Sequence, residues 1–177
     1  STDGRRARSA PGRALPGSRG AVLRTPAPKG RYITDQWKHG PQWAFYGEGG
    51  EDWFGFKGVR ALGDREPDIL MIPLPGHTLG HCGIAVRSGD KWLLHAGDAY
   101  FFYGQMQASP RGPLVLGMFQ RRGDMDRAMR IENQERLRTL KANHGDAVTI
   151  FNSHDPVDYE NCRCGQHQEV PAHARAG

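Results

Sequence analysis

The sequence predicts a mixed α/β fold. Four apolar runs of strand length, 68–74, 83–87, 91–96 and 148–152, are each bounded by Pro, Gly, Asp, Asn or Ser. A helical pattern over 124–143 lies between the third and the fourth. The length, 177 residues, suits one domain with a substantial core. A hydrophobic content of 37% and a mean hydropathy of −0.67 are low for a fully packed chain, so disordered ends are expected.

Residues 1–31 are mostly Arg, Ala, Gly, Pro and Ser, without apolar periodicity. Such a stretch buries too little surface to offset its ordering entropy and is expected to be a disordered basic tail. Over 32–60 the character changes: Tyr32, Trp37, Trp43, Phe45, Tyr46, Trp53, Phe54 and Phe56 stand among glycines. That aromatic density implies packing, in short extended pieces broken at Gly47, Gly49 and Gly50. The run 68–74 ends at Pro75-Gly76. The runs 83–87 and 91–96 form a hairpin around Ser88-Gly89-Asp90. The segment 99–123 reads as one long loop. For the helix, Asp124 is the expected N-cap, Met125, Met129, Leu137 and Leu140 the apolar stripe, and Gly145 the stop. The fourth run is 148–152. The expected organisation is thus a tail over 1–31, a domain over 32–160 and a polar C-terminal tail over 161–177.

The pI near 9.4 invites a nucleic-acid reading. The charge is uneven, however: residues 1–31 carry +7 and the remainder −2. A basic tail binds polyanions without sequence preference, but the slightly acidic body argues against nucleic acid as the partner. The three cysteines, Cys82, Cys162 and Cys164, are an odd number in a long chain. They do not make a disulfide scaffold, and a reducing cytoplasm is the expected location. Cys162, Cys164 and His167 have metal-binding residue types, but their spacing is not that of a paired zinc site. No apolar stretch nears the ~20 residues that span a bilayer, and no apolar core follows the basic N-terminus, so neither a membrane nor a secretory signal is expected.

Three short motifs carry the chemistry. Pro75-Gly76-His77-Thr78-Leu79-Gly80-His81 comes first, Gly97-Asp98-Ala99 second and Ser153-His154-Asp155 third. Asp98 lies 21 residues beyond His77, and His154 lies 56 beyond Asp98. Each follows a predicted strand, and strand ends facing one sheet edge are how a rigid scaffold presents a metal site. Imidazole and carboxylate bind zinc and, to different degrees, iron and manganese. Singly, a His is more often a surface or core residue, and Gly-Asp-Ala more often a turn. Their shared context favours the metal reading. His81 and His95 are either orienting groups or packing residues. Asp155 either accepts from an imidazole or starts a turn. Tyr100 and Phe101 either line a substrate pocket or belong to the core.

With these residues in hand, the chain resembles the second half of a metallo-β-lactamase-fold hydrolase. The resemblance rests on PGHTLGH (75–81), LLHAGDAYF (93–101) and IFNSHDP (150–156), and covers 32–159. It implies an αββα sandwich with two metal ions, most often zinc. It also implies that His77 serves the first ion, Asp98 bridges both and His154 serves the second. The implied reaction is hydrolysis of a small-molecule ester, thioester, lactone or amide by metal-activated water. The family's upstream His-x-His-x-Asp-His motif has no match here, and His39 is the only histidine before His77. The domain is therefore expected to be incomplete in its N-terminal half, with weak metal binding and impaired hydrolysis. The alternative is a catalytically inactive fragment or pseudoenzyme with an interaction role. The composition of 1–31 fits GC-rich coding DNA read in a wrong frame, and a genuine basic tail is the competing account. A half-domain also implies an exposed sheet edge at 68–74 and 91–96, and with it oligomerisation.

Overall fold

The computed structural model describes residues 33–42, 50–62 and 68–164. The expected tail 1–31, the segment 165–177, and Tyr32, Trp43, Phe45 and Tyr46 lie outside these. The chain divides into two units, one ending at Glu48 and one beginning at Gly49. In the first, the described residues hold one 3-10 turn, Thr34–Trp37, beside an exposed Lys38–Asp35 ion pair at 3.1 Å.

The second unit is built on one six-stranded sheet: β1 (Glu51–Trp53), β2 (Phe56–Ala61), β3 (Ile69–Pro73), β4 (Cys82–Ser88), β5 (Lys91–His95) and β6 (Val148–Phe151), in that spatial order. Phe54 (φ 45°) and Gly55 (φ 82°) close the β1–β2 hairpin through left-handed backbone, as a two-residue primed turn requires. All neighbours are antiparallel except β5 and β6. A parallel pair needs a long crossover. Helices α1 (Leu114–Gly123) and α2 (Arg127–His144) lie in it, and α3 (Pro156–Cys164) follows β6.

Helix α2 packs its Leu137 and Leu140 into the core formed by Ile72, Leu74, Ala85, Leu94, Ala96 and Val148. At the hairpin end Phe56 and Val59 are buried, and Trp53 meets Trp92 edge-on at 5.7 Å. Of the aromatic residues before residue 60, Trp53 therefore packs against the β4–β5 hairpin. The α/β expectation holds. Among the described residues there is one sheet, and the second sheet of an αββα sandwich has no strand.

Five expectations are corrected. The helix starts at Arg127, where Asp126 Oδ1 accepts from Met129 N–H at 2.9 Å. Asp124 is not the cap: both its oxygens take Arg130 Nε at 2.8 Å, with the two side chains 1% and 6% exposed. The stripe is apolar only at Leu137 and Leu140. Arg130, Asn133 and Gln134 occupy the buried face upstream, and Met129 is exposed. The segment 99–123 is not one loop, because it contains α1. That helix leaves Leu114, Val115, Met118 and Phe119 in solvent and buries Gln120, so its pattern does not mark a core face. Finally, the predicted strands at 68–74 and 91–96 do not lose their neighbours. The 51–61 hairpin covers β3 and β6 covers β5, which leaves β1 and β6 as the edges. Residues 161–164, expected in the tail, continue α3. Among the described residues no helix is long and apolar enough to cross a membrane.

Replacing Asp124 with Asn strands a buried guanidinium, so Asp124→Asn is expected to lower unfolding free energy by about 3–5 kcal/mol. Asp68→Asn, which breaks the half-exposed pair with Arg87 at 2.7 Å, is expected to cost under about 1 kcal/mol. Urea unfolding of both variants measures the difference.

Candidate functional site

The topology brings the three motifs together. Strands β3 and β5 both run antiparallel to β4, and β6 runs parallel to β5, so β3, β5 and β6 end at one sheet edge. His77, Asp98 and His154 follow those three ends. His77 Nε2 lies 3.1 Å from Asp98 Oδ2, and His154 Nε2 lies 2.8 Å from Asp98 Oδ1. Asp98 thus sits between two imidazoles, with His154 Nε2–H donating to one carboxylate oxygen and His77 Nε2 facing the other.

Helix α2 places the first two loops. Asn133 Nδ2 donates to Pro75 O at 2.7 Å, and the Met125 and Asp126 N–H groups donate to Gly76 O at 3.0 and 2.8 Å. Gly76 has φ 139°, and a Cβ there would stand 2.4 Å from Arg130 N, so only glycine lets the turn lie on the helix. Gln134 Nε2 donates to Ala99 O at 2.8 Å and holds the turn that carries Asp98. For the third loop, Asn152 Oδ1 accepts from the N–H groups of His154 and Asp155 at 2.6 and 3.1 Å, an Asx turn at the end of β6.

His81 uses both ring nitrogens. Its Nδ1–H donates to Leu74 O at 2.8 Å, and Nε2 accepts from Asp98 N–H at 2.9 Å. This fixes one neutral tautomer. Burial pushes its pKa below the ordinary value, over the opposing effects of the Leu74 hydrogen bond and the Asp98 charge. His81 therefore holds the Asp98 backbone. Gly97 (φ 56°) makes room for it, since a Cβ there would lie 2.7 Å from His81 Nε2. His95 Nε2 pairs with Ser153 Oγ at 2.9 Å, next to the His154 turn.

Asp155 does not accept from an imidazole. Its Oδ2 accepts from Tyr103 N–H at 2.6 Å and its Oδ1 from Val157 N–H at 2.8 Å, at the start of α3. Tyr100 lies in the core, 1% exposed, and its hydroxyl donates to Asp158 Oδ2 at 2.5 Å. Burial, reinforced by the Asp158 charge, holds the phenol well above its usual range, and burial also raises Asp158. Phe101 does line the cleft at the sheet edge, its ring 4.3 Å from that of His154 and 6.1 Å from that of His77. Burial raises the thiols of Cys82 and Cys162, the reverse of an activated nucleophile.

The cleft measures about 620 Å³. Beyond His77, Asp98 and Phe101 it is walled by Phe102, Leu116, Phe119 and Val157. Sequence reading missed Leu116 and Phe119 because they lie in the segment expected to be a loop. It also missed Asn152, although Asn at a strand end before Ser-His-Asp-Pro is a turn signal.

The donors have the chemistry for zinc, iron or manganese, but not the number. Each Asp98 oxygen faces one imidazole, so an ion at either oxygen meets two protein donors. Catalytic zinc sites usually keep three. Among the described residues no group of three or more His, Cys, Asp or Glu side chains is disposed to hold an ion. These residues alone do not fit a complete metal centre.

No family model matches the chain. Two curated proteins do, a probable metallo-hydrolase of Mycobacterium tuberculosis and one of Mycobacterium bovis. Each is 35% identical over 133 residues, covering 75% of this chain and 43% of the relative. The chain thus spans less than half the length of these relatives. Among solved structures, an N-acyl homoserine lactone hydrolase with N-hexanoyl-L-homoserine at its catalytic metal centre is 18% identical. Its TM-score is 0.41, over 57% of this chain and 36% of that one. A quorum-quenching N-acyl homoserine lactone lactonase is also 18% identical, with a TM-score of 0.40 over 55% of this chain and 36% of that one.

A depressed His81 pKa has a definite sign. The unfolded chain takes up the proton first as pH falls through 6.5, so stability from the neutral ring is present above that value and is lost below it. Urea unfolding at about pH 7.5 and about pH 5.5 is expected to show a pH-dependent loss that His81→Gln reduces. An equal loss in the variant would refute the assignment.

Proposed function

We propose that this chain, a member of the metallo-hydrolases that its curated relatives represent, has the metallo-β-lactamase fold and carries part of a hydrolytic metal centre, impaired as it stands. The observation that supports this is Asp98 held between His77 and His154 at the mouth of an aromatic-walled cleft. His77, Asp98 and His154 are the donors it contributes. In the complete centre, zinc or a similar ion supplies an activated water and charge stabilisation. The residues here fall short of holding it alone.

What this chain's own side chains do follows from their geometry. Asp98 orients both imidazoles, and His81 and Asn152 hold the backbones of Asp98 and His154. Phe101, Phe119, Leu116 and Val157 bind the apolar part of a small ester, thioester, lactone or amide. A cleft of this size with few polar groups suits a substrate with an apolar body.

The second reading is an inactive fragment or pseudoenzyme. It is favoured by the way the Asp98 oxygens are already satisfied, one imidazole to each.

Elemental analysis of the full chain, with His154→Ala alongside, separates the two. The expected result is weakly held, sub-stoichiometric metal that dialysis removes and His154→Ala abolishes, with ester and lactone turnover near the blank. Tightly held stoichiometric metal with turnover would overturn the impairment. No metal uptake even with excess zinc, manganese or iron would overturn the metal reading and leave the inactive one.

A further inference from the structure

A second cleft, about 420 Å³, lies along the other flank of α1, and Leu116 borders both clefts. Its lining holds four arginines, Arg111, Arg121, Arg127 and Arg130, and no carboxylate. Arg130 is neutralised by Asp124. Arg111, Arg121 and Arg127 are exposed and make no ion pair with the described residues. They come from three places, the 110–113 segment, the last turn of α1 and the first turn of α2. Arg127 opens α2, where the helix dipole disfavours a cation. The nearest acid on that turn, Asp126, is engaged in capping. At the floor, Gln120 is 2% exposed. Its Oε1 accepts from Gln105 at 2.6 Å, and its Nε2 has no hydrogen-bond partner. Like charges gathered without a counterion, above an unused amide donor, are unfavourable until an acceptor-only ligand arrives.

We infer that this cleft is a binding site for a small anion with an apolar body, a carboxylate or phosphate head held by Arg111, Arg121 and Arg127. The guanidinium fork matches both heads. The apolar part of the ligand lies against Leu114, Met118 and Ile131, which also line the cleft. The site does not rest on the metal reading, because none of His77, Asp98 and His154 lines it.

The test is calorimetric titration of the full chain with inorganic phosphate and, separately, with octanoate. The wild type is compared with Arg121→Gln/Arg127→Gln, with Arg127→Lys, and with the control Lys57→Gln/Lys91→Gln, which removes the same charge from exposed positions elsewhere. The double variant is expected to lose roughly tenfold or more in affinity. Arg127→Lys should lose less, the lysine control should be unchanged, and His154→Ala should bind as the wild type does. Binding of phosphate alone assigns a phosphate head, and binding of octanoate alone a carboxylate on an apolar chain. Binding of neither probe, or equal weakening by the lysine control, overturns the site.

Discussion

Asn133 and Gln134 lie on the buried face of α2, and each gives its amide N–H to a loop carbonyl, Pro75 O and Ala99 O. A buried amide without a partner costs about 1–3 kcal/mol, so seating the helix and placing the two loops are one event. Arg130, on the same face, needs Asp124, which fixes the approach to the helix. Gly76 then brings the first loop against the helix backbone. The meeting of His77 with Asp98 depends on all of this, because the two residues share no strand.

The third histidine is placed by a separate device. Parallel pairing of β6 with β5 brings its end beside that of β5, and Asn152 turns the chain so that His154 faces Asp98. Asp155 and Asp158 continue inward, where Asp158 accepts from Asn152 and Tyr100. That network ties the last loop to the core and keeps Tyr100 out of the cleft. A carboxylate satisfied by two imidazoles is a stable arrangement in itself, and this is the physical tension in the proposed function. The contacts that organise the site are made with the nitrogens an ion would need.

Helix α1 separates two surfaces of opposite character. Towards the sheet edge it offers Phe119 and Leu116 to an aromatic wall. On its other flank it joins an arginine-lined cleft. Its Leu114, Val115, Met118 and Phe119 are all exposed. A solvated helix of this composition is unusual unless something binds there.

The sequence by itself determined the mixed α/β class, the strands around 69–73, 82–88, 91–95 and 148–151, and the candidacy of His77, Asp98 and His154. Those depend on local signals: apolar runs, turn residues, and ligand-type side chains at strand ends. The tertiary structure decided what each polar group does. The sequence offers Asp124 as the cap, and only the position of Arg130 assigns Asp124 to the ion pair and leaves the cap to Asp126. His81 and His95 read alike in sequence, yet one spans two backbones and the other meets Ser153, because loop packing sets which nitrogen finds which partner. Helix α1 had no periodic signature, since its apolar residues face solvent. The number of donors around each Asp98 oxygen is likewise a matter of three-dimensional closure, which spacing along a chain does not encode.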